Sequence, residues 1–446
     1  MTKIVFTYTR HLLSVFFILT LLYSCQTADD QARWLRGNLH THTFWSDGDD
    51  FPESAAKWYK ENGYDFLVFT DHNKLLEVPA TGRLWSNHVL DEGVLWQRIN
   101  EDHPALIKYI DFFGEEWIDS RQDEEEGHLQ VRLKPLEEFR DMFEEPEEFM
   151  LIMGNEISDQ HAVHFVAIHQ DEVIPTVGGS VDERADMIRE TVNRVGEYRE
   201  RSGRNTYAAL AHPNFRWAIT AEMMLETPDL RYFEVYNGHP SVNNQGDQFR
   251  ASTELMWDIV LANRLGLQNG KILYGLATDD THSYHSIGAT PGRGWVMIRA
   301  ENLDEESVLD ALDRGDFYSS TGVMLKEINY DGKQISIEIE PQDGVTYTTE
   351  YIGTRSGFDP SSTPTLDWEG NEIPNTTRTY SEEIGKVLYS SNDISSSYTF
   401  SGEELYVRVK ITSSADQLDQ ITGDVLGSQV AWVQPVVPGA AAIAGR

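Results

Sequence analysis

The sequence predicts an α/β protein in which a seven-stranded α/β barrel is followed by a small antiparallel β-sandwich. Residues 34–300 alternate strand-like and helix-like segments, which is typical of parallel strands joined by crossover helices. Side chains that can bind metal follow nearly all of the apolar segments, and a closed barrel gathers its strand ends at one face. After about residue 325, apolar and polar residues alternate, which favours antiparallel strands with one buried face.

The first region, 34–322, contains seven apolar segments that predict the barrel strands. They lie at residues 35–39, 65–70, 149–153, 163–168, 207–210, 232–236 and 272–277. A helix is predicted at 52–62, because Pro52 favours a first helical turn and Gly63 a helix end. A second helix, at 303–314, would close the region. An insertion at about 75–148 is rich in acidic residues, which predicts a solvated helical lobe, with a lid over the site as the alternative.

The second region, 325–436, predicts a β-sandwich accessory domain. Ile335, Ile337 and Ile339 alternate with polar residues, and Asp331-Gly332 is a hairpin signal. Four aromatic residues of this region form either a sugar-stacking face or, as is commoner in small sandwiches, part of the core: Tyr351, Tyr398, Tyr406 and Trp432. The small residues of 437–446 predict a flexible tail.

The first 24 residues have the pattern of a signal peptide. Lys3 and Arg10 precede an apolar run at 12–22, which is shorter than a membrane-spanning helix requires. The following Tyr23-Ser24-Cys25 resembles the end of a bacterial lipobox, so Cys25 would carry a lipid; ordinary cleavage after export is the alternative. We therefore expect an extracytoplasmic protein, periplasmic or at the cell surface, attached to the membrane only through this anchor.

Composition narrows the possible partners. The chain has 73 Asp and Glu against 36 Lys and Arg, a formal net charge of -37. Such a chain repels polyanions unless a basic patch reverses the field, and the sequence contains no such patch, which disfavours long nucleic acid. The single cysteine excludes an internal disulfide. Signatures of serine hydrolases, P-loop NTPases, dinucleotide-binding folds and zincins are absent.

Imidazoles and carboxylates, the donors that suit Zn, Mn or Fe, recur at the predicted strand ends. His40 and His42 follow the first strand, and Asp280 and His282 repeat their spacing after the seventh. Residues two apart in an extended segment point to the same side, so both members of a pair can reach one ion. Glu156 follows an apolar run, where an unpaired carboxylate would be costly, and it could bridge two ions.

In order, the chain has an H-x-H, an Asp five residues later, T-D-H, G-x-E, two separate histidines and D-x-H. Over about residues 37–290 this set resembles the PHP (polymerase and histidinol phosphatase) family. The resemblance implies a distorted seven-stranded (β/α)7 TIM-like barrel that binds two or three divalent metal ions. It implies that the first ion is held by His40, His42, Glu156 and Asp280, the second by Glu156, His164 and His212, and the third by Asp47, His72 and His282.

Four neighbouring residues compete with these assignments. His164 is favoured over His161 and His169, because an apolar strand follows it directly, and Asp280 over Asp279, because of the D-x-H spacing. Asp71 is expected to orient a neighbour rather than bind metal.

The resemblance implies a metal-dependent phosphoesterase, in which a metal-activated hydroxide attacks a small phosphorylated substrate. We assign catalytic roles to Glu156, Asp280 and Arg216. Candidate cations for the added charge are Lys74, Arg216 and Arg293, and candidate substrate contacts are Asn237, His239 and His285. The alternatives are an exonuclease-like enzyme on short oligonucleotides, a glycan-binding surface lipoprotein with an inactive barrel, and a hydrolase of a non-phosphate bond.

Overall fold

The computed structural model describes residues 32–123 and 127–440. The predicted signal peptide at 1–24, the proposed lipid attachment residue Cys25 and the end of the predicted tail lie outside the described residues. Within the described ranges, every helix is too short or too polar to cross a bilayer.

The elements of the first region and its insertion follow one another along the chain. The first elements are β1 (Arg33–Asn38), α1 (Pro52–Glu61), β2 (Phe66–Phe69), β3 (His88–Asp91), β4 (Val94–Ile99), α2 (Pro104–Phe113), β5 (Ser120–Gln122), β6 (Leu129–Arg132) and α3 (Leu136–Phe143). The next are β7 (Met150–Ile157), β8 (Phe165–Ile168), α4 (Arg184–Ser202), β9 (Tyr207–Leu210), α5 (Ala221–Leu225), β10 (Tyr232–Asn237), α6 (Thr253–Asn263), β11 (Tyr274–Thr278), β12 (Trp295–Ala300), α7 (Glu305–Arg314) and β13 (Phe317–Ser320).

The second region is built from strands. They are β14 (Leu325–Tyr330), β15 (Gln334–Ile339), β16 (Tyr347–Arg355), β17 (Ser362–Thr363), β18 (Thr379–Tyr380), β19 (Lys386–Ser391), β20 (Ser395–Thr399), β21 (Glu404–Leu418) and β22 (Val425–Val436).

The seven strands predicted for the first region are present and adjacent, in the order β11-β10-β9-β8-β7-β2-β1. They do not form a closed barrel in the described chain. One edge of β1 pairs with β2, and the other pairs antiparallel with β12, so the edge that β11 would need is occupied. Within the described residues, the two ends of the series share an isolated parallel bridge between Thr41 and Thr281 and form no ladder with each other.

Strand β8 runs opposite to the other six, because it pairs antiparallel with both β7 and β9. The sequence predicted parallel strands throughout, and this part of the prediction is wrong. The reversal has a direct consequence for the site. The start of β8, rather than its end, lies at the edge where the other strands end, and His164 immediately precedes that start.

The insertion is not the helical lobe that its acidic composition suggested. It contains a four-stranded antiparallel sheet, in the order β3-β4-β6-β5, together with α2 and α3. Strand β4 alternates buried and half-buried residues, which is the pattern of a strand covered on one face. Tyr109 of α2 and Phe139 of α3 are buried in the same apolar cluster as Phe69 of β2, so the insertion is firmly joined to the main fold.

The second region contains a separate three-stranded sheet, β14-β15-β20, while β22, β21, β16 and β19 extend the large sheet beyond β13. Ile335, Ile337 and Ile339 pack in one apolar cluster with residues of β21, as the alternation predicted. Tyr351, Tyr406 and Trp432 are buried and Tyr398 is half-buried. These aromatic rings therefore belong to the core and do not form a sugar-stacking face.

Candidate metal centre

The nine metal ligands that the resemblance implies come together at the edge where β1, β2, β7 and β11 end. Their side chains fall into overlapping groups whose donor atoms lie within 4.8 Å of one another. The groups are His40, His42 and Asp280; His40, Glu156 and His212; and His42, Asp47, His72 and His282. His164 adjoins the second group through Glu156.

The first group converges on one point. The Nε2 atoms of His40 and His42 each lie 3.2 Å from Asp280 Oδ1, and 3.6 and 3.5 Å from Glu156 Oε2. His40 Nε2, His42 Nε2 and Glu156 Oε2 are buried and make no hydrogen bond, and Glu156 Oε2 also lies 2.6 Å from His72 Nδ1. Four donors at about 2.0–2.2 Å from a common ion would be about 3.3–3.6 Å apart in a tetrahedral arrangement. The residues therefore fit a divalent cation.

The second group is centred on the other oxygen of Glu156. Glu156 Oε1 lies 2.9 Å from His164 Nδ1 and 3.0 Å from His212 Nε2. Because its two oxygens face different groups of imidazoles, Glu156 has the geometry of a bridging carboxylate.

The third group is more open. Asp47 Oδ1 lies 3.5 Å from both His72 Nε2 and His282 Nε2, and 3.8 Å from His42 Nδ1. The side chain of Asp47 is 32% exposed, whereas that of Glu156 is fully buried. Solvent and small molecules therefore reach the centre from this side.

The electrostatics of the cluster favour ionised carboxylates. Burial would raise the pKa of Glu156, but the charges of His72, His164 and His40 outweigh it and hold that pKa well below its usual value. The pKa of Asp280 is also held well below its usual value, because His40 and His42 outweigh the effect of burial. Metal binding requires deprotonated ligands, so both carboxylates are in the required form at neutral pH.

The histidines differ in their proton affinity. Burial, together with the charges of His282 and His72, lowers the pKa of His42 to about 3, so this imidazole is neutral. Burial also opposes a charge on His282, but the adjoining Asp47 and Asp280 raise its pKa to about 9.

Two of the predicted ligands have backbone conformations that residues other than glycine rarely adopt. His212 has a φ of 29° and Asp280 a φ of 52°, in the left-handed region where a side chain costs energy. Each follows the end of a buried segment, at Ala211 and Asp279. The strained backbone turns these two side chains toward the shared centre.

Glu234 contacts two of the predicted ligands, and the sequence did not identify it. Its Oε1 lies 2.7 Å from His40 Nδ1, and its Oε2 accepts a 2.7 Å hydrogen bond from the backbone N–H of His212. A carboxylate on the far nitrogen of a metal-ligating histidine fixes the ring and its tautomer. The available signal was a glutamate inside the apolar strand β10, where a charge needs a partner.

Asp71 and Asp279, the carboxylates beside two predicted ligands, have supporting roles. Asp71 accepts hydrogen bonds from the N–H and the hydroxyl of Thr43 and from the hydroxyl of Ser46, which hold the loop that carries Asp47. Asp279 accepts backbone N–H groups of the turn at 292–294 and the hydroxyl of Tyr59.

We expect Asp71→Asn to weaken metal binding, most at the Asp47 group, because the amide NH₂ would face a donor and loosen the loop. The expected loss of affinity or activity is about 10–100-fold, the range for partners that orient ligands. Elemental analysis after dialysis against graded metal concentrations measures it. Asp331→Asn, at a turn in the second region, is the matched control. Unchanged metal content in Asp71→Asn would contradict the assigned role.

The three candidate cations are placed differently. Arg216 is exposed and lines the cleft beside His72 and His164. Lys74 is buried and donates to the carbonyl of Thr81, and burial lowers its pKa to about 8. Arg293 is buried in an ion pair with Asp419. Of the three, only Arg216 faces the open side of the centre.

The remaining candidate residues also have defined positions. His161 lines the cleft, whereas His169 pairs with Glu305 outside the centre. Asn237 donates to Glu234 and Asp280, so its amide is committed to supporting ligands. The ring of His239 lies 5.4 Å from that of His282, and His285 lies 3.1 Å from the buried carboxylate of Asp50.

No family model and no curated protein matches this chain. Among solved structures, the chain is similar to a two-domain protein from Bacteroides vulgatus ATCC 8482 that contains a predicted PHP-like metal-dependent phosphoesterase. The two are 13% identical, the match covers 92% of this chain and 96% of that chain, and the TM-score is 0.37.

Proposed function

We propose that the chain is a metal-dependent phosphoesterase that hydrolyses a small phosphorylated substrate. The observation that carries this proposal is the convergence of His40 Nε2, His42 Nε2 and Glu156 Oε2, three buried atoms that make no hydrogen bond and lie against further imidazoles and carboxylates. Buried polar atoms are almost always satisfied, so such a cluster favours a bound cation. The ordered set of motifs that resembles the PHP family supports the same function.

The donor set suits two or three divalent ions of Zn, Mn or Fe, because all of its members are imidazoles and carboxylates. Such ions would supply Lewis-acid activation of water and of the phosphoryl group. In this proposal Glu156 and Asp280 hold the cations as buried, ionised carboxylates. Arg216, on the wall of the cleft, places a positive charge where the phosphoryl oxygens would lie.

The charge of the chain and its N-terminus bear on substrate and location. A net charge of -37 disfavours long polyanions, so a small phosphomonoester or phosphodiester is the proposed substrate. The proposed location is outside the cytoplasm, with a lipid on Cys25 as the membrane attachment.

Elemental analysis combined with an activity assay tests the function. The protein, starting after Cys25 and purified without added metal, is expected to contain two to three equivalents of Mn, Fe or Zn. It is also expected to hydrolyse an aryl phosphate or an aryl phosphodiester, and the preferred ester separates a phosphatase from a diesterase. Failure to bind metal after reconstitution would overturn the proposal. Metal without turnover of either ester would favour a non-phosphate bond as the target.

A further inference from the structure

A cleft of about 620 Å³ opens beside the metal centre. One part of its wall is formed by the ligands Asp47, His72 and His164. Another part is formed by Arg83 and Trp85, which belong to the insertion. The insertion, which is separate from the strands that carry the ligands, therefore contributes a cation to the space that a substrate would occupy.

Arg83 differs from the other cations of the insertion, since none of the described residues offers it a carboxylate. Every other lysine or arginine of the insertion forms an ion pair. These are Arg98, Lys108, Arg121, Arg132, Lys134 and Arg140. Arg83 is exposed and lies apart from these ion pairs.

The two acidic residues of the cleft do not supply that partner. Asp47 faces the imidazoles of His72 and His282, and Asp159 accepts the backbone N–H groups of His161 and Val163. An anionic group of a molecule in the cleft would therefore meet a guanidinium that none of the described carboxylates engages.

The position of Arg83 is set by its neighbours. Its guanidinium lies 4.4 Å from the centre of the Trp85 ring, and that ring lies 5.9 Å from the ring of His72. Stacking on an aromatic face leaves the N–H groups at the edge of the guanidinium free, and these groups bind carboxylates or phosphates in a bidentate manner.

The loop that carries Arg83 is also held by contacts with the residues that directly follow His72. The buried Lys74 donates a 2.9 Å hydrogen bond to the carbonyl of Thr81. Gly82 has a φ of 84° and packs so closely on the carbonyl of Asn73 that a side chain would not fit. Lys74 and Asn73 directly follow His72, so the loop is fixed relative to that ligand.

From this geometry we infer that Arg83 forms a subsite for a second anionic group, so that the preferred substrate is a phosphoester bearing a carboxylate, sulfate or further phosphate. The inference rests on the proposed phosphoesterase function. The two arginines of the cleft then have separate roles. Arg216, four residues after the ligand His212, serves the phosphoryl group, and Arg83 serves the second anion.

The test compares substrates that differ in one charge. Phenyl phosphate, 4-carboxyphenyl phosphate and 4-phosphonophenyl phosphate are assayed with the wild type and the variants Arg83→Gln, Arg216→Gln and Arg250→Gln. The measured quantity is kcat/KM for each doubly anionic ester divided by that for phenyl phosphate. Comparing this ratio between variants cancels the intrinsic reactivity of the leaving groups, and the two doubly anionic esters show whether a carboxylate or a phosphonate is preferred.

We expect the ratio to fall roughly tenfold or more in Arg83→Gln, the loss of one charge-assisted hydrogen bond. In Arg216→Gln, kcat/KM should fall for all three esters with little change in the ratio. Arg250 is the matched control, because it also lies over an aromatic ring, that of Trp217 at 4.9 Å, but is already paired with Asp247. An unchanged ratio in Arg83→Gln, with esters still hydrolysed, would overturn the subsite and leave the proposed function standing.

A binding measurement separates the two proposals if no ester is hydrolysed. Phosphonoacetate, with two anionic groups, and methylphosphonate, with one, are titrated calorimetrically into the metal-reconstituted protein. Tighter binding of phosphonoacetate that is lost in Arg83→Gln would support the subsite although the phosphoesterase proposal had failed. Equal binding of both ligands, or a preference that Arg83→Gln retains, would overturn the subsite.

Discussion

Glu156→Ala is expected to remove both metal and activity while the fold is retained. Glu156 is fully buried, and its two oxygens face different groups of imidazoles, so in the proposed centre the substitution would remove a ligand from two ions at once. The loss of activity should exceed the roughly 100-fold that follows removal of a residue that merely orients a ligand. Elemental analysis and the aryl ester assay measure the two effects.

Glu305→Ala is the matched control for this prediction. Glu305 also contacts a histidine, with 3.1 Å between its Oε2 and His169 Nε2, but the pair lies outside the metal centre. The control should keep its metal and activity. Circular dichroism of Glu156→Ala, recorded with a chelator and compared with the wild type under the same conditions, checks that the fold is intact. Full metal content in a folded Glu156→Ala protein would refute the assignment of this residue as a bridging ligand.

Local sequence patterns locate the strands well, because a buried strand must be apolar wherever it pairs. The predicted segment 207–210 coincides with β9, and the other six differ from the observed strands by a few residues at their ends. Local sequence patterns do not show the direction in which a strand pairs. The apolar run Phe165–Ile168 is the same whichever way it runs, so the reversal of β8 depends on contacts with β7 and β9 that lie outside the run.

The same limit explains the open sheet. The seven segments of the first region supply the strands of a barrel, but closure requires β11 to pair along β1. Strand β12, at Trp295–Ala300, occupies that edge instead, and then leads through β13 into the second region. The sequence of an apolar segment after the seventh strand does not show which strand it will pair with. Whether β11 or β12 pairs with β1 therefore depends on tertiary contacts.

The residues of the candidate site also fall into two classes: those that the sequence identifies and those that it does not. Motifs such as His40-x-His42 carry their spacing in the sequence, and the structure brings the donors together. Residues that act through space leave a weaker signal. Glu234 contacts His40 from a distant strand, and Arg83 reaches the cleft from an insertion whose composition predicted a solvated lobe, with a lid as the alternative. In both cases, the sequence offers one indication of such a role: a charged residue with no partner of opposite charge nearby in its own element or loop.

Asp258→Ala is expected to cause the largest loss of stability outside the metal centre. Asp258, on α6, accepts hydrogen bonds from Nε and an NH₂ group of Arg408, on β21, at 2.8 and 2.6 Å. The hydroxyl of Tyr406 donates to the same carboxylate at 2.8 Å. All three residues are buried, so the variant would leave the guanidinium without its main partner. Breaking such a pair typically costs about 3–5 kcal/mol.

The free energy of unfolding, from urea denaturation followed by tryptophan fluorescence, measures this loss. Asp229→Ala is the control, because Asp229 forms an exposed ion pair with Lys271 that should contribute less than about 1 kcal/mol. The double variant Asp258→Leu/Arg408→Met should be more stable than Asp258→Ala, since it leaves no buried charge uncompensated. If Asp258→Ala destabilised the protein no more than Asp229→Ala does, the pair could not be what fastens β21 to α6. The second region would then depend on its apolar contacts and on the continuous sheet through β13 for its attachment.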